Sequence, residues 1–78
     1  MRNLHLLARQ LRKRIGAHYR YASAAKWPRY NQDTYYELRR DSEEAASLVK
    51  YLVQHLENRH DAVTFANAVG CPGYINMR

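Results

Sequence analysis

The segment TYYELRRDSEEAASLVKYLVQHL, residues 34–56, determines the fold that we predict for this chain of 78 residues. Its apolar positions advance in alternating steps of three and four, which places them on one side of an α-helix. They are Tyr35, Leu38, Ser42, Ala45, Val49, Leu52 and Leu56, with Leu48 and Val53 widening the stripe. The pattern predicts a long helix over about residues 34–58. Asp41 and Glu44 repeat a capping pattern, so a break near residue 41 stays open.

The width of this stripe indicates how the long helix packs. Its heptad-like spacing would suit a dimeric coiled coil, and a homodimer stays open on that ground. However, the stripe contains Ser42 and Ala45 and extends to Leu48 and Val53, which is broader than a two-stranded seam. Packing inside a small helical bundle is therefore the favoured interpretation.

Before this segment, a second apolar stripe predicts one helix over about residues 3–22. Its members are Leu4, Leu7, Leu11, Ile15, His18 and Ala22. Gly16 is interpreted as a tolerated weak point within the helix, costing about 1 kcal/mol. Pro28 and the cap-forming residues after it predict a loop over about residues 23–33, with Asn31, Asp33 or Thr34 as the following N-cap.

After the long helix, Asp61 is a candidate cap for a short helix over about residues 61–69, and Gly70 is its stop. The tail, residues 70–78, is predicted to be irregular. Nothing alternates long enough to indicate a sheet. We therefore predict a single all-α domain over residues 1–78: a small compact bundle of three helices, or four if the long central helix divides.

Charge is segregated along the chain. Residues 2–31 hold eight Arg or Lys residues and no acid, and the whole chain has a formal net charge of +6. On a continuous helix, Arg2, Arg9, Lys13 and Arg20 would fall within about 40° of one another, opposite the apolar stripe. The sequence therefore predicts a basic helix face with Arg12 beside it.

Catalytic and metal-binding patterns are absent from the sequence. Asp41, Glu43 and Glu44 lie together at a candidate helix start, where they complement the helix dipole and do not form a separated catalytic pair. His55 and His60 are five residues apart, which is a poor spacing for two ligands on one helix. His18 is interpreted as a partly buried histidine that donates to a carbonyl. We predict no enzyme activity, no metal and no cofactor.

Aromatic residues interleaved with bases favour a nucleic-acid binder, whether of RNA, single-stranded DNA or duplex DNA. Cations displace the counterions of phosphates, and aromatic rings stack on unpaired bases. The predicted cations, for nucleic acid or an acidic protein surface, are Arg2, Arg9, Arg12, Lys13, Arg20, Lys26 and Arg29, and the predicted stacking residues are Tyr21, Trp27 and Tyr30.

The alternative function is an interaction protein of a phage or plasmid type that docks on an acidic-surfaced enzyme or nucleoprotein complex and inhibits it. Tyr36, Tyr51 and Trp27 would then be the anchors. An amphipathic helix on a membrane surface and an organellar transit peptide are weaker interpretations, and integral membrane association is disfavoured. A single cysteine, Cys71, excludes an intramolecular disulfide and fits a cytoplasmic location.

Overall fold

The computed structural model describes residues 2–25 and 28–77, which form four α-helices, a 3-10 helix and no strand. The α-helices are α1 (Arg2–Arg14), α2 (Ala17–Ala24), α3 (Gln32–His55) and α4 (Arg59–Val69), and the 3-10 helix covers Pro72–Met77. The predicted all-α bundle with a long central helix is confirmed.

The hydrophobic core lies between α1, the C-terminal half of α3 and α4. Its largest fully buried side chains are Leu11, Val49 and Val53, and Phe65 of α4 packs with them. Burying one such side chain contributes about 1.5–3 kcal/mol. Tyr74 in the 3-10 helix packs against the edge of this core. The apolar stripe of α3 therefore packs into the core, as its spacing predicts.

Helix α2 lies outside this core, against the N-terminal half of α3. His18 is its one buried side chain among the described residues. Because α2 packs at one end of α3 while α1 and α4 pack at the other, the molecule is elongated, with extents of 48 × 22 × 16 Å. Helix α3, with its 24 residues, spans about 36 Å of this length.

The single N-terminal helix predicted over residues 3–22 is wrong, because the chain breaks at Gly16. Helix α1 ends at Arg14, Gly16 has a φ of 76°, and α2 starts at Ala17. This left-handed conformation is accessible to glycine at little cost and ends helices in many proteins. Gly16 is thus an elbow between two helices. Ala22, which was expected on the apolar stripe, is exposed in the last turn of α2.

Helix α3 runs without a break through residue 41. It starts at Gln32, where the side chain of Asn31 accepts hydrogen bonds from the backbone N–H of Asp33 at 2.8 Å and of Thr34 at 3.3 Å. Of the two residues that suggested a break, Asp41 instead accepts hydrogen bonds from Arg14 at the end of α1. The helix ends at His55, short of the predicted residue 58.

Helix α4 starts two residues earlier than predicted. Asn58, and not Asp61, is its N-cap, and its side chain accepts from the backbone N–H of His60 at 2.8 Å and of Asp61 at 3.3 Å. Asp61 lies in the first turn, where a carboxylate is also favourable. Gly70, with a φ of 86°, ends the helix. The tail that was expected to be irregular contains the 3-10 helix.

Candidate functional site

Four cationic side chains line one shallow depression where α1 meets α2. Arg9, Arg12 and Lys13 project from α1 and Arg20 projects from α2, and all four are exposed. The depression has a volume of about 340 Å³, and the described residues that line it include no carboxylate. We call these four residues the basic groove. Like charges gathered without a counter-charge create a local positive potential, so the groove attracts anions.

Arg20 reaches the groove because its guanidinium folds back over the end of α1. Its Nη2 donates to the carbonyl of Lys13 at 2.5 Å, and its Nη1 donates to the carbonyl of Ile15 at 3.4 Å. The last carbonyls of a helix lack intrahelical partners and carry partial negative charge, so a cation is favoured there. A guanidinium has five N–H donors, and those not used in these bonds stay available to an external anion.

The elbow is tied to α3 through its backbone. The N–H of Gly16 donates to the hydroxyl of Ser42 at 2.9 Å, and Ser42 is buried. Ser42 is the polar interruption of the α3 stripe, and the structure explains it as the acceptor for this bond. The bond holds the start of α2 against the middle of α3, and it thereby helps to set the angle at which Arg20 faces α1.

A second tie joins the end of α1 to α3. The Nε of Arg14 donates to both carboxylate oxygens of Asp41 at 3.0 and 3.1 Å, and its Nη2 donates to Oδ1 at 2.6 Å. The hydrogen bonds from Arg14 hold the pKa of the Asp41 carboxyl below its usual value, and the same bonds raise the pKa of Arg14. Because Arg14 is paired in this way, it does not add an unpaired positive charge beside the groove. The same pairing neutralises the carboxylate of Asp41.

Three further cations were predicted for the site, Arg2, Lys26 and Arg29, together with the aromatic Trp27. Arg29 is exposed in the loop between α2 and α3, and it is not among the lining residues. Lys26, Trp27 and the side chain of Arg2 lie outside the described residues. A role for these four residues in binding stays a prediction.

Two of the predicted stacking residues, Tyr21 and Tyr30, are packed into the end of the molecule that α2 forms with α3. Both are half-buried, and their ring centroids are 5.7 Å apart. The hydroxyl of Tyr21 accepts from the backbone N–H of Asn31 at 2.8 Å. Partial burial raises the pKa of Tyr30, and the neighbouring tyrosines raise it further. These contacts favour a structural role for the two rings.

The two tyrosines predicted as protein anchors are exposed on α3. Tyr36 is 50% exposed and lines a second shallow depression with Arg39, Arg40 and Glu43. Tyr51 is 58% exposed, and its ring lies 4.3 Å from that of His55. Fifteen residues separate the two tyrosines, or about 22 Å along the helix. The two rings are therefore separate features of the surface.

Tyr19 is an exposed aromatic that belongs to the aromatics interleaved with bases but was not among the residues predicted to stack. It precedes Arg20 on α2 and is 68% exposed. It is exposed on α2, which starts at Ala17, and its ring lies against the buried imidazole of His18.

His18 is buried as predicted, but the predicted hydrogen bond is not made by Nδ1. This atom has no partner among the described residues. The centroid of the His18 ring lies 4.1 Å from that of Tyr19 and 5.5 Å from that of Tyr35, and the contact with Tyr35 is edge-on. The imidazole thus acts as a packing element between α2 and α3.

Within residues 2–25 and 28–77, no three His, Cys, Asp or Glu side chains form a group that could hold a metal ion. The crevice between α1 and α4, beside His5 and Asp61, has a volume of about 60 Å³.

No helix in the described part of the chain is long and apolar enough to cross a membrane.

No protein-family model, curated protein or solved structure matches this chain. The basic groove is therefore interpreted from its own residues and geometry.

Proposed function

We propose that this chain is a non-catalytic nucleic-acid-binding protein whose basic groove contacts the phosphate backbone. The observation that carries the proposal is the convergence of Arg9, Arg12, Lys13 and Arg20 on one depression that no described carboxylate lines. Cations arranged in this way release the counterions condensed on a nucleic acid, and this release drives binding.

The chemistry of the four side chains supports phosphate as the ligand. Three of the four are arginines, whose planar guanidinium groups bind phosphate oxygens through two parallel hydrogen bonds. Arg20 is already held by the carbonyls of Lys13 and Ile15, so less side-chain freedom is lost when it binds. The groove is also open and shallow, which suits a backbone that runs across it.

The test is fluorescence anisotropy of labelled single-stranded DNA, duplex DNA and structured RNA over a series of salt concentrations. If each groove cation neutralises one phosphate, log affinity falls against log salt with a slope of about −3 to −4. The double variant Arg9→Glu with Lys13→Glu should weaken binding to every nucleic acid and lower the magnitude of this slope by about 2 or more.

The matched control is Arg39→Glu with Arg40→Glu, which makes the same change in net charge on the exposed surface of α3. Circular dichroism verifies that both double variants keep their helix content. We expect the control to bind with nearly the affinity of the unmodified protein at physiological salt, because Arg39 and Arg40 do not line the groove and exposed charges outside it are screened by salt. Equal loss in both variants would contradict a localised site, and absence of binding to all three nucleic acids would refute the proposal.

A second candidate function, a protein that docks on an acidic-surfaced enzyme or nucleoprotein complex, is favoured by the exposure of Tyr36 and Tyr51. Exposed tyrosines are frequent energetic anchors in protein interfaces, and a basic surface would speed association with an acidic partner. The variant Tyr36→Ala with Tyr51→Ala distinguishes the two. If Tyr36→Ala with Tyr51→Ala abolishes binding to the partner while Arg9→Glu with Lys13→Glu leaves that binding unchanged, the docking function replaces nucleic-acid binding.

A further inference from the structure

The environment of Tyr19 adds a second element to the groove. Its ring is largely exposed, and the next residue along α2 is Arg20, which lines the groove. Consecutive Cα atoms are about 3.8 Å apart. Tyr19 and a groove cation are therefore adjacent on one short helix, with their side chains about 100° apart around its axis. A nucleotide carries its base and its phosphate on one sugar, and this pairing of residue types matches that arrangement.

The ring of Tyr19 is also supported from behind. The imidazole of His18 lies 4.1 Å from it, at an interplanar angle of 37°, and His18 is itself buried against Tyr35 of α3. A chain of ring contacts from α3 thus restricts Tyr19 and leaves the rest of its surface in solvent. An aromatic ring that is ordered before binding loses less conformational freedom when a base stacks on it.

We propose that the groove takes single-stranded nucleic acid, with one base stacked on Tyr19 while the adjoining phosphates contact Arg20 and the other groove cations. This inference rests on the proposed function and specifies the form of its ligand. A base inside a duplex is already stacked on both faces and cannot use the ring, whereas an unpaired base can.

The chain offers a matched control for Tyr19. Tyr51 has a similar exposure, and its ring lies 4.3 Å from His55 at 36°, which is close to the geometry of the Tyr19 and His18 pair. Tyr51 belongs to α3, nine residues beyond the Ser42 contact with the elbow, or about 14 Å along the helix. Replacing it removes an equivalent ring at a distance from the groove.

The experiment measures affinity for three labelled ligands: a thymidine oligonucleotide of about 12 nucleotides, an abasic strand of equal length and a duplex of equal length. The proteins are the unmodified chain, Tyr19→Ala, Tyr19→Phe, Tyr51→Ala and Arg9→Glu with Lys13→Glu. We expect the unmodified protein to prefer the oligonucleotide over the abasic strand by roughly tenfold. Tyr19→Ala should abolish this preference without changing the salt slope, and Tyr19→Phe and Tyr51→Ala should retain it.

The results separate the two proposals. If Tyr19→Ala binds like Tyr51→Ala, or if the unmodified protein binds the abasic strand as well as the oligonucleotide, the stacking inference is overturned. The salt slope and its reduction in Arg9→Glu with Lys13→Glu would still support phosphate binding by the groove. A preference for the duplex overturns the inference in the same way. If no ligand binds, both proposals fail.

Discussion

At the scale of single residues, the charges near the elbow differ in what they are free to do. Arg14 and Asp41 are joined by three short hydrogen bonds, although their side chains remain 39% and 41% exposed. Arg20 binds backbone carbonyls and keeps its charge uncompensated by any carboxylate among its described hydrogen-bond partners. Arg14 therefore stabilises the structure, whereas Arg20 contributes to the positive potential of the groove.

The Arg14 and Asp41 pair makes stability depend on pH at the acid end. Because the folded-state pKa of Asp41 lies below its unfolded value, the unfolded chain takes up the proton first as pH falls. The stabilisation is present above about pH 5 and is lost as pH falls below about 4, through the lowered pKa. We predict that Asp41→Asn is less stable than the unmodified protein at neutral pH and that the difference shrinks on acidification.

Urea unfolding between neutral and acid pH measures this difference. Glu57→Gln is the control, since Glu57 is exposed and has no ion pair among the described residues. A difference between Asp41→Asn and the unmodified protein that stays constant down to the lowest pH would contradict the assignment.

At the scale of helices, the elbow at Gly16 determines where the groove forms. Local patterning does not reveal it, because the apolar steps run from Leu4 past Gly16 to His18 without interruption. A continuous helix and a broken one both bury His18. The choice is made by hydrogen bonds to Asp41 and Ser42, residues that are distant in sequence. Similarly, Asn58 and Asp61 are both good caps, and the sequence alone does not rank them.

We predict that Gly16→Ala destabilises the protein by about 1 kcal/mol, since an L-residue in the left-handed region costs about 1–2 kcal/mol and part of this is offset in the unfolded chain. The backbone is the cause, because an added Cβ would lie 3.8 Å from Nη1 of Arg20, an ordinary contact. Thermal unfolding measures the effect. Gly73→Ala, where a Cβ meets nothing within 4 Å, is the control. Equal tolerance of both substitutions would show that the elbow does not require glycine.

At the scale of the whole molecule, the two ends differ in how they are stabilised. The end built from α1, the C-terminal half of α3 and α4 has the aliphatic core. The end built from α2 and the start of α3 is held by tyrosines, His18 and a few hydrogen bonds. A helix of eight residues is marginal by itself in water, so α2 depends on these contacts.

We predict that backbone amides of α2 exchange with solvent by local opening, faster than amides of α4 and of the C-terminal half of α3, which should exchange only on global unfolding. Hydrogen exchange followed by NMR measures this. Protection of α2 equal to that of α4 would mean that the molecule opens as one unit. Binding of single-stranded nucleic acid should selectively slow the hydrogen exchange of α2 amides, because the ligand would contact Tyr19 and Arg20.

The all-α class, the long α3 and the segregation of charge follow from the sequence by itself. Apolar periodicity and composition are local properties, and burial of one helix face satisfies them in any suitable bundle. The sequence also predicted the four cations of the groove, but on a straight helix. The convergence of these cations depends on contacts between residues that are 26 and 27 positions apart, Gly16 with Ser42 and Arg14 with Asp41. Those hydrogen bonds choose between two backbone paths that satisfy the same local pattern.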